Sequence, residues 1–144
     1  MHRHIMAHPY NLDEDNISEL SALDFVFIAM DSGPSKKDIV EFLRGNAVGF
    51  IDTGIDINRV GTSLIGMARS TMASCDDWTA AERHISYDVA DKDLYQSNVQ
   101  TSDLNALCAL MAVIQWKQSL GFYADNNHHK NCVYTTNDGE FKWD

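Results

Sequence analysis

Two aspartates stand where apolar runs of this chain give way to turns. Residues 24 to 43 read DFVFIAMDSGPSKKDIVEFL, and residues 48 to 54 read VGFIDTG. Asp31 closes the first apolar run and Asp52 the second. A carboxylate at the carboxyl end of a buried parallel strand sits where open α/β sheets bind ligands. There it can hold a hydrated Mg²⁺ against phosphate oxygens, because a hard cation takes carboxylate oxygen and keeps several waters. Lys36, a turn into the next helix, can face the same crevice. The plainer alternative is a turn or helix-capping role. Pattern alone favours that role for Asp52 and leaves Asp31 open to both.

A nucleotide site also needs backbone N–H groups presented to the phosphates by a glycine loop. The chain contains neither GxGxxG nor GxxxxGK[ST]. The other reactive residue types are sparse. Cys75, Cys108 and Cys132 are odd in number, widely spaced and free of any CxxC. That usage predicts a reducing, cytoplasmic setting, and neither a disulfide scaffold nor a thiolate zinc site. Cys75 lies in MASCDDW, acidic surroundings that raise a thiol pKa rather than lower it. His2, His4, His8 and the His128–His129 pair lack a partner pattern and read as solvated side chains.

The elements that must position these residues are legible in outline. Phe25, Val26, Phe27 and Ile28 do not alternate with polar residues, so a strand covered on both faces is expected. Gly33-Pro34 breaks it, and Pro34 suits the first turn of a helix. Within 35 to 44, Ile39, Val40 and Leu43 form one apolar stripe. Residues 48 to 52 read as a short buried strand ended by Thr53-Gly54, which completes a βαβ unit. Residues 55 to 73 predict two antiparallel strands about Gly61-Thr62. Residues 74 to 100 are polar, with Trp78, Tyr87 and Tyr95 expected to pin them to the body.

A strong helix follows, capped by Thr101 or Ser102 and running to Gly121. Because it is apolar almost all round through Ile114, burial in the interior is expected. Asp138-Gly139, flanked by β-rich runs, predicts a closing hairpin. Residues 13 to 22 suit one or two helical turns with acidic residues at the positive end.

The bulk numbers restrict the partners. The chain has 144 residues, 44% of them hydrophobic, with 21 acidic against 11 basic residues and a formal charge of −10. That charge disfavours nucleic acid and anionic membrane as partners. The longest apolar run, Leu104 to Ile114 interrupted only by Asn105, is too short to cross a bilayer.

Four stretches in register, DFVFIAMDSGPSKKDIVEFL, GFIDTGIDI, SNVQTSDLNALCALMAVIQWKQSLGFY and YTTNDGEFKWD, resemble the C-terminal part of the ThiF/HesA/MoeB family. These are bacterial relatives of ubiquitin-activating enzymes. The resemblance runs from about Ile5 onward. It implies an α/β fold: a partial Rossmann-like, three-layer domain with parallel strands, further antiparallel strands and a C-terminal hairpin. It implies a single, N-terminally truncated domain over residues 1 to 144, often a dimer. The implied activity is adenylation, with ATP and Mg²⁺, of the C-terminus of a ubiquitin-like modifier or sulfur-carrier protein. Asp31 matches the family's Mg²⁺ ligand, Lys36 a basic position that is usually arginine, and Gly54 a glycine ending the next strand. Ser32 stands where relatives usually carry asparagine, at the cofactor site. The two CxxC pairs that hold zinc in many relatives are missing, so no zinc is expected. Some relatives use a crossover cysteine as nucleophile; Cys75 is roughly placed for that, but its acidic neighbours argue against it.

The family's glycine loop, ribose-binding acid and catalytic arginines would all precede the first matching residue. The isolated chain is therefore expected to be inactive, with a partner chain or a second copy supplying the nucleotide loop. The alternatives are a non-catalytic binding or dimerisation module, and an unrelated Rossmann-like domain.

Overall fold

The computed structural model describes residues 5–88 and 101–144. Its centre is a five-stranded mixed sheet in the order β1-β2-β3-β4-β5. β1 (Phe25–Ile28) pairs in parallel with β2 (Gly49–Val60), through α1 (Pro34–Gly45). β2 turns at Gly61, whose φ is +63°, into antiparallel β3 (Ser63–Ala73). β4 (Asn131–Thr135) and β5 (Glu140–Trp143) complete the sheet, both antiparallel. A 3₁₀ helix covers Ile17–Ala22, α2 covers Thr79–His84, and α3 covers Ser102–Ser119.

Strand alternation divides the core into two layers. Ile28, Phe50 and Ala73 face α1, α2 and the 3₁₀ helix, packing on Ile39, Val40, Leu43, Ala81 and Ile85. Ile55, Ala68 and Cys132 face the other way, onto Leu104, Cys108 and Met111 of α3. Trp78 and Tyr87 pack on the first layer, as their sequence context predicts. Tyr95 lies outside the described residues.

Three expectations are corrected. β1 is not covered on both faces, since Phe27 is 45% exposed. The strand through Asp52 does not end at Thr53-Gly54. Pairing with β3 continues without a break from Phe50↔Ala73 to Val60↔Ser63, so the strand is 12 residues long. Only its first part also has β1 beside it, and the sheet has one parallel pair rather than several. Nor is α3 buried all round. Leu104, Cys108, Met111, Ala112 and Gln115 are buried, but Leu110, Val113 and Ile114 are 61%, 39% and 46% exposed. The sheet covers only one side of the helix. No described helix is long and apolar enough to cross a membrane.

Candidate functional site

The helix α1 presents Lys36, Ile39, Val40 and Leu43 to the sheet, all buried. Their spacing is that of one helical stripe, so Lys36 is directed inward with the apolar residues. β2 alternates in turn, so Phe50, Asp52 and Gly54 share the face toward α1. The ammonium of Lys36 meets Asp52 there, with Nζ 2.8 Å from Oδ1 and side chains 3% and 0% exposed. The other carboxylate oxygen accepts a hydrogen bond from Arg69 Nη2 at 2.6 Å.

Arg69 is held from a second side. Its Nη1 donates to Thr71 Oγ1, and that hydroxyl donates to Asn131 Oδ1 at 2.8 Å. On the opposite face, Ser70 Oγ donates to Gln115 Oε1 at 2.8 Å. Arg69, Thr71 and Ser70 are thus tied to partners on neighbouring strands and on α3, while Asp52 Oδ1 has the Lys36 ion pair in place of a hydrogen bond.

Beside this ion cluster opens a cleft of about 830 Å³. It lies at the step where β1 stops and β2 runs on with only β3 beside it. Thr53 Oγ1 donates to Ile28 O at 3.0 Å, closing the last carbonyl of β1. Asp31 and Ser32, from the β1–α1 turn, line the mouth together with Asp56 and Asp88, while Lys36, Gly54 and Arg69 line the interior. The helix cap is Gly33, without a side-chain hydrogen bond. Asp31 is therefore not engaged in capping α1, and its side chain is exposed at the cleft.

The structure thus brings Asp31, Ser32, Lys36 and Gly54 to one cleft. Cys75 is exposed in the turn after β3, bridged by Ser74 and Asp77, and it does not line the cleft. Cys108 does line it, but its thiol donates to Arg69 O at 3.1 Å and burial raises its pKa. Burial and the neighbouring Cys108 push Cys132 up to about 11. Neither thiol is set up as a nucleophile. His128 and His129 line a second groove of about 290 Å³ with Arg83, His84 and Lys130. His8 sits 3.5 Å from Glu19 at the surface; His2 and His4 lie outside the described residues.

Sequence reasoning missed Asp52 and Arg69. Asp52 is no turn residue: it is the fully buried centre of the ion cluster. The signal was available in Lys36, which occupies the same stripe as Ile39, Val40 and Leu43. A lysine so placed requires a buried carboxylate, and Asp52 follows Phe50 on the facing side of β2.

Among the described residues, no three His, Cys, Asp or Glu side chains are grouped to hold a metal ion. A divalent cation fits here only in a form that keeps waters and takes ligand oxygens, with Asp31 as its protein donor. No protein-family model and no curated protein matches this chain.

Proposed function

We propose that the chain is the metal-binding and modifier-docking part of an ATP-dependent adenylating enzyme of the ThiF/HesA/MoeB type. In this reading its sheet is the C-terminal part of a Rossmann-like domain. The observation that carries it is the placement of Asp31 and Ser32 at the mouth of a cleft beyond the carboxyl end of β1, with Lys36 and Arg69 at its base. Ligands of open α/β sheets bind in that position.

The reaction is transfer of the nucleotide to the C-terminal carboxylate of a ubiquitin-like or sulfur-carrier protein. A carboxylate oxygen forms a bond to the α-phosphorus as the bond to pyrophosphate breaks. Mg²⁺, when bound, offsets the charge on the phosphates. Asp31 and its neighbour Ser32 are the residues that would hold the ion and its waters. Lys36 contributes through Asp52 rather than by reaching the ligand, since its amine is enclosed. A glycine loop from another polypeptide segment would grip the phosphates, so the chain alone should be inactive.

ATP–pyrophosphate exchange, with a candidate modifier and a polypeptide carrying the loop, tests this. Asp31→Ala should lower exchange by on the order of 100-fold, the usual scale for losing one electrostatic stabiliser of a transferring group. Exchange that is untouched by the substitution removes Asp31 from the site and the reading with it.

One observation also favours a second reading, a non-catalytic binding or dimerisation module. Phe27 and Met30 line the same cleft as Val113, and with Leu110 and Ile114 they leave large apolar side chains exposed. Exposed apolar patches of this kind promote association. Size-exclusion chromatography with light scattering should show the isolated chain self-associating, and Leu110→Lys with Ile114→Lys should shift it toward monomer. A compact monomer at all concentrations removes this reading.

A further inference from the structure

Two cations share one carboxylate at the base of the cleft. Lys36 takes Oδ1 of Asp52 and Arg69 takes Oδ2, so the cluster carries one positive charge in excess. The two cations differ in what they can still reach. The Lys36 side chain is 3% exposed. Arg69 is 16% exposed, and a guanidinium has five N–H donors in a fixed fork. Among the described residues one donor goes to Asp52 and one to Thr71, and Arg69 lines the cleft.

The fork is also aimed. Gly54 is the register partner of Arg69 across β2 and β3. A Cβ at position 54 would stand 3.1 Å from Arg69 Nη2 and 3.7 Å from Cζ and Nε. The guanidinium therefore lies over the bare backbone of Gly54 on its way to Asp52. A side chain at position 54 would make the nearest guanidinium nitrogen give way by a few tenths of an ångström. Gly54 is a positioning residue for Arg69.

The geometry points to Arg69, and not Lys36, as the cation that contacts an anionic ligand group in this cleft, the group being a phosphate or diphosphate that arrives with a divalent cation. This rests on the reading under Proposed function. Charge complementarity selects the metal-bound form. Asp31, Asp56 and Asp88 at the cleft repel a bare polyanion, while the base of the cleft attracts one. A diphosphate chelating Mg²⁺ satisfies both, the cation toward the carboxylates and the oxygens toward the guanidinium.

The test uses the full chain and inorganic pyrophosphate as probe, with and without Mg²⁺. Calorimetry gives affinity, and the arginine Nε–Hε resonances, with Arg69 assigned through Arg69→Lys, report contact directly. Pyrophosphate should bind in the presence of Mg²⁺ and move the Arg69 resonance. Arg69→Lys should weaken binding about tenfold or more, because a point charge does not replace the planar fork. Gly54→Ala should move the Arg69 resonance already in the free protein and weaken binding by a smaller factor. If Arg69→Lys does not fold, the wild-type resonance decides alone. An unmoved Arg69 resonance, binding indifferent to Arg69→Lys, or no binding with Mg²⁺ each overturns the inference. Arg69-dependent binding without ATP–pyrophosphate exchange in the assembled system would sink the adenylation reading and leave this one standing. Exchange that survives Arg69→Lys would do the reverse.

Discussion

Asp52→Ala is expected to cost about 3–5 kcal/mol of folding stability, the scale for removing one partner of a buried ion pair. The carboxylate is fully enclosed, and Lys36 is nearly so. Once Asp52 is gone, an ammonium is left on the same buried stripe as Ile39, Val40 and Leu43. It must then be carried into an apolar layer, lose its proton, or pull α1 away from the sheet. Arg69 suffers less, since it reaches the cleft and keeps Thr71.

Replacing the pair together, by Lys36→Met with Asp52→Leu, removes both desolvated charges and should recover a large part of the loss. Urea denaturation of the two single variants and the double variant measures the coupling, with equal m-values as the condition for comparison. A cost below about 1 kcal/mol for Asp52→Ala, on the scale of an exposed pair, would mean that Lys36 finds water without its partner.

The same cluster explains where sequence reasoning succeeded and where it stopped. Local signals with a backbone mechanism were legible. Pro34 does open α1, Gly61 turns β2 into β3 with positive φ, and Gly139, also at positive φ, lies in the β4–β5 connection. The parallel pairing of β1 with β2 was legible too, from two apolar runs separated by one helix.

Non-local determinants were not. Gly54 looked like a strand terminator, but its role is set by Arg69 across the ladder, distant in sequence. A glycine inside a strand marks close approach as readily as an end, and only the partner strand distinguishes the two. The helix α3 misled for a related reason. An apolar periphery predicts burial only if partners exist on every side, and the described sheet offers one. The position of Asp31, just past the end of β1, was legible because it is a local property. Of its companions in the cleft interior, Lys36 follows on α1, but Gly54 and Arg69 come from β2 and β3, and although the turn at Gly61 was legible, the register that sets them side by side was not.

Phe50→Ala should have an effect of similar size, about 3–5 kcal/mol, the range for truncating a fully buried aromatic side chain. Phe50 is 0% exposed and packs in the layer that contains Leu43, also 0% exposed, Val40 and Ile85. Its ring centroid lies 5.5 Å from that of Trp78. Trp78 is the N-cap of α2, a helix of six residues held to the body largely through Trp78, Ala81 and Ile85. So short a helix has little stability of its own. Truncating Phe50 should therefore loosen α2 beyond the global loss of stability.

Amide exchange can separate the two effects. The bonds Glu82 N–H to Trp78 O and Ile85 N–H to Ala81 O, 3.0 and 3.1 Å long, should lose protection more than the amides of β2 and β3. The consequence reaches the cleft, because His84 at the end of this helix and Ser86 and Asp88 just after it line its wall. Phe50→Leu, which removes less volume and keeps an apolar contact, should fall well short of the alanine cost and leave α2 protected. If Phe50→Ala costs less than about 2 kcal/mol, or α2 exchanges no faster relative to the strands, the Phe50–Trp78 contact is not what fastens that wall of the cleft.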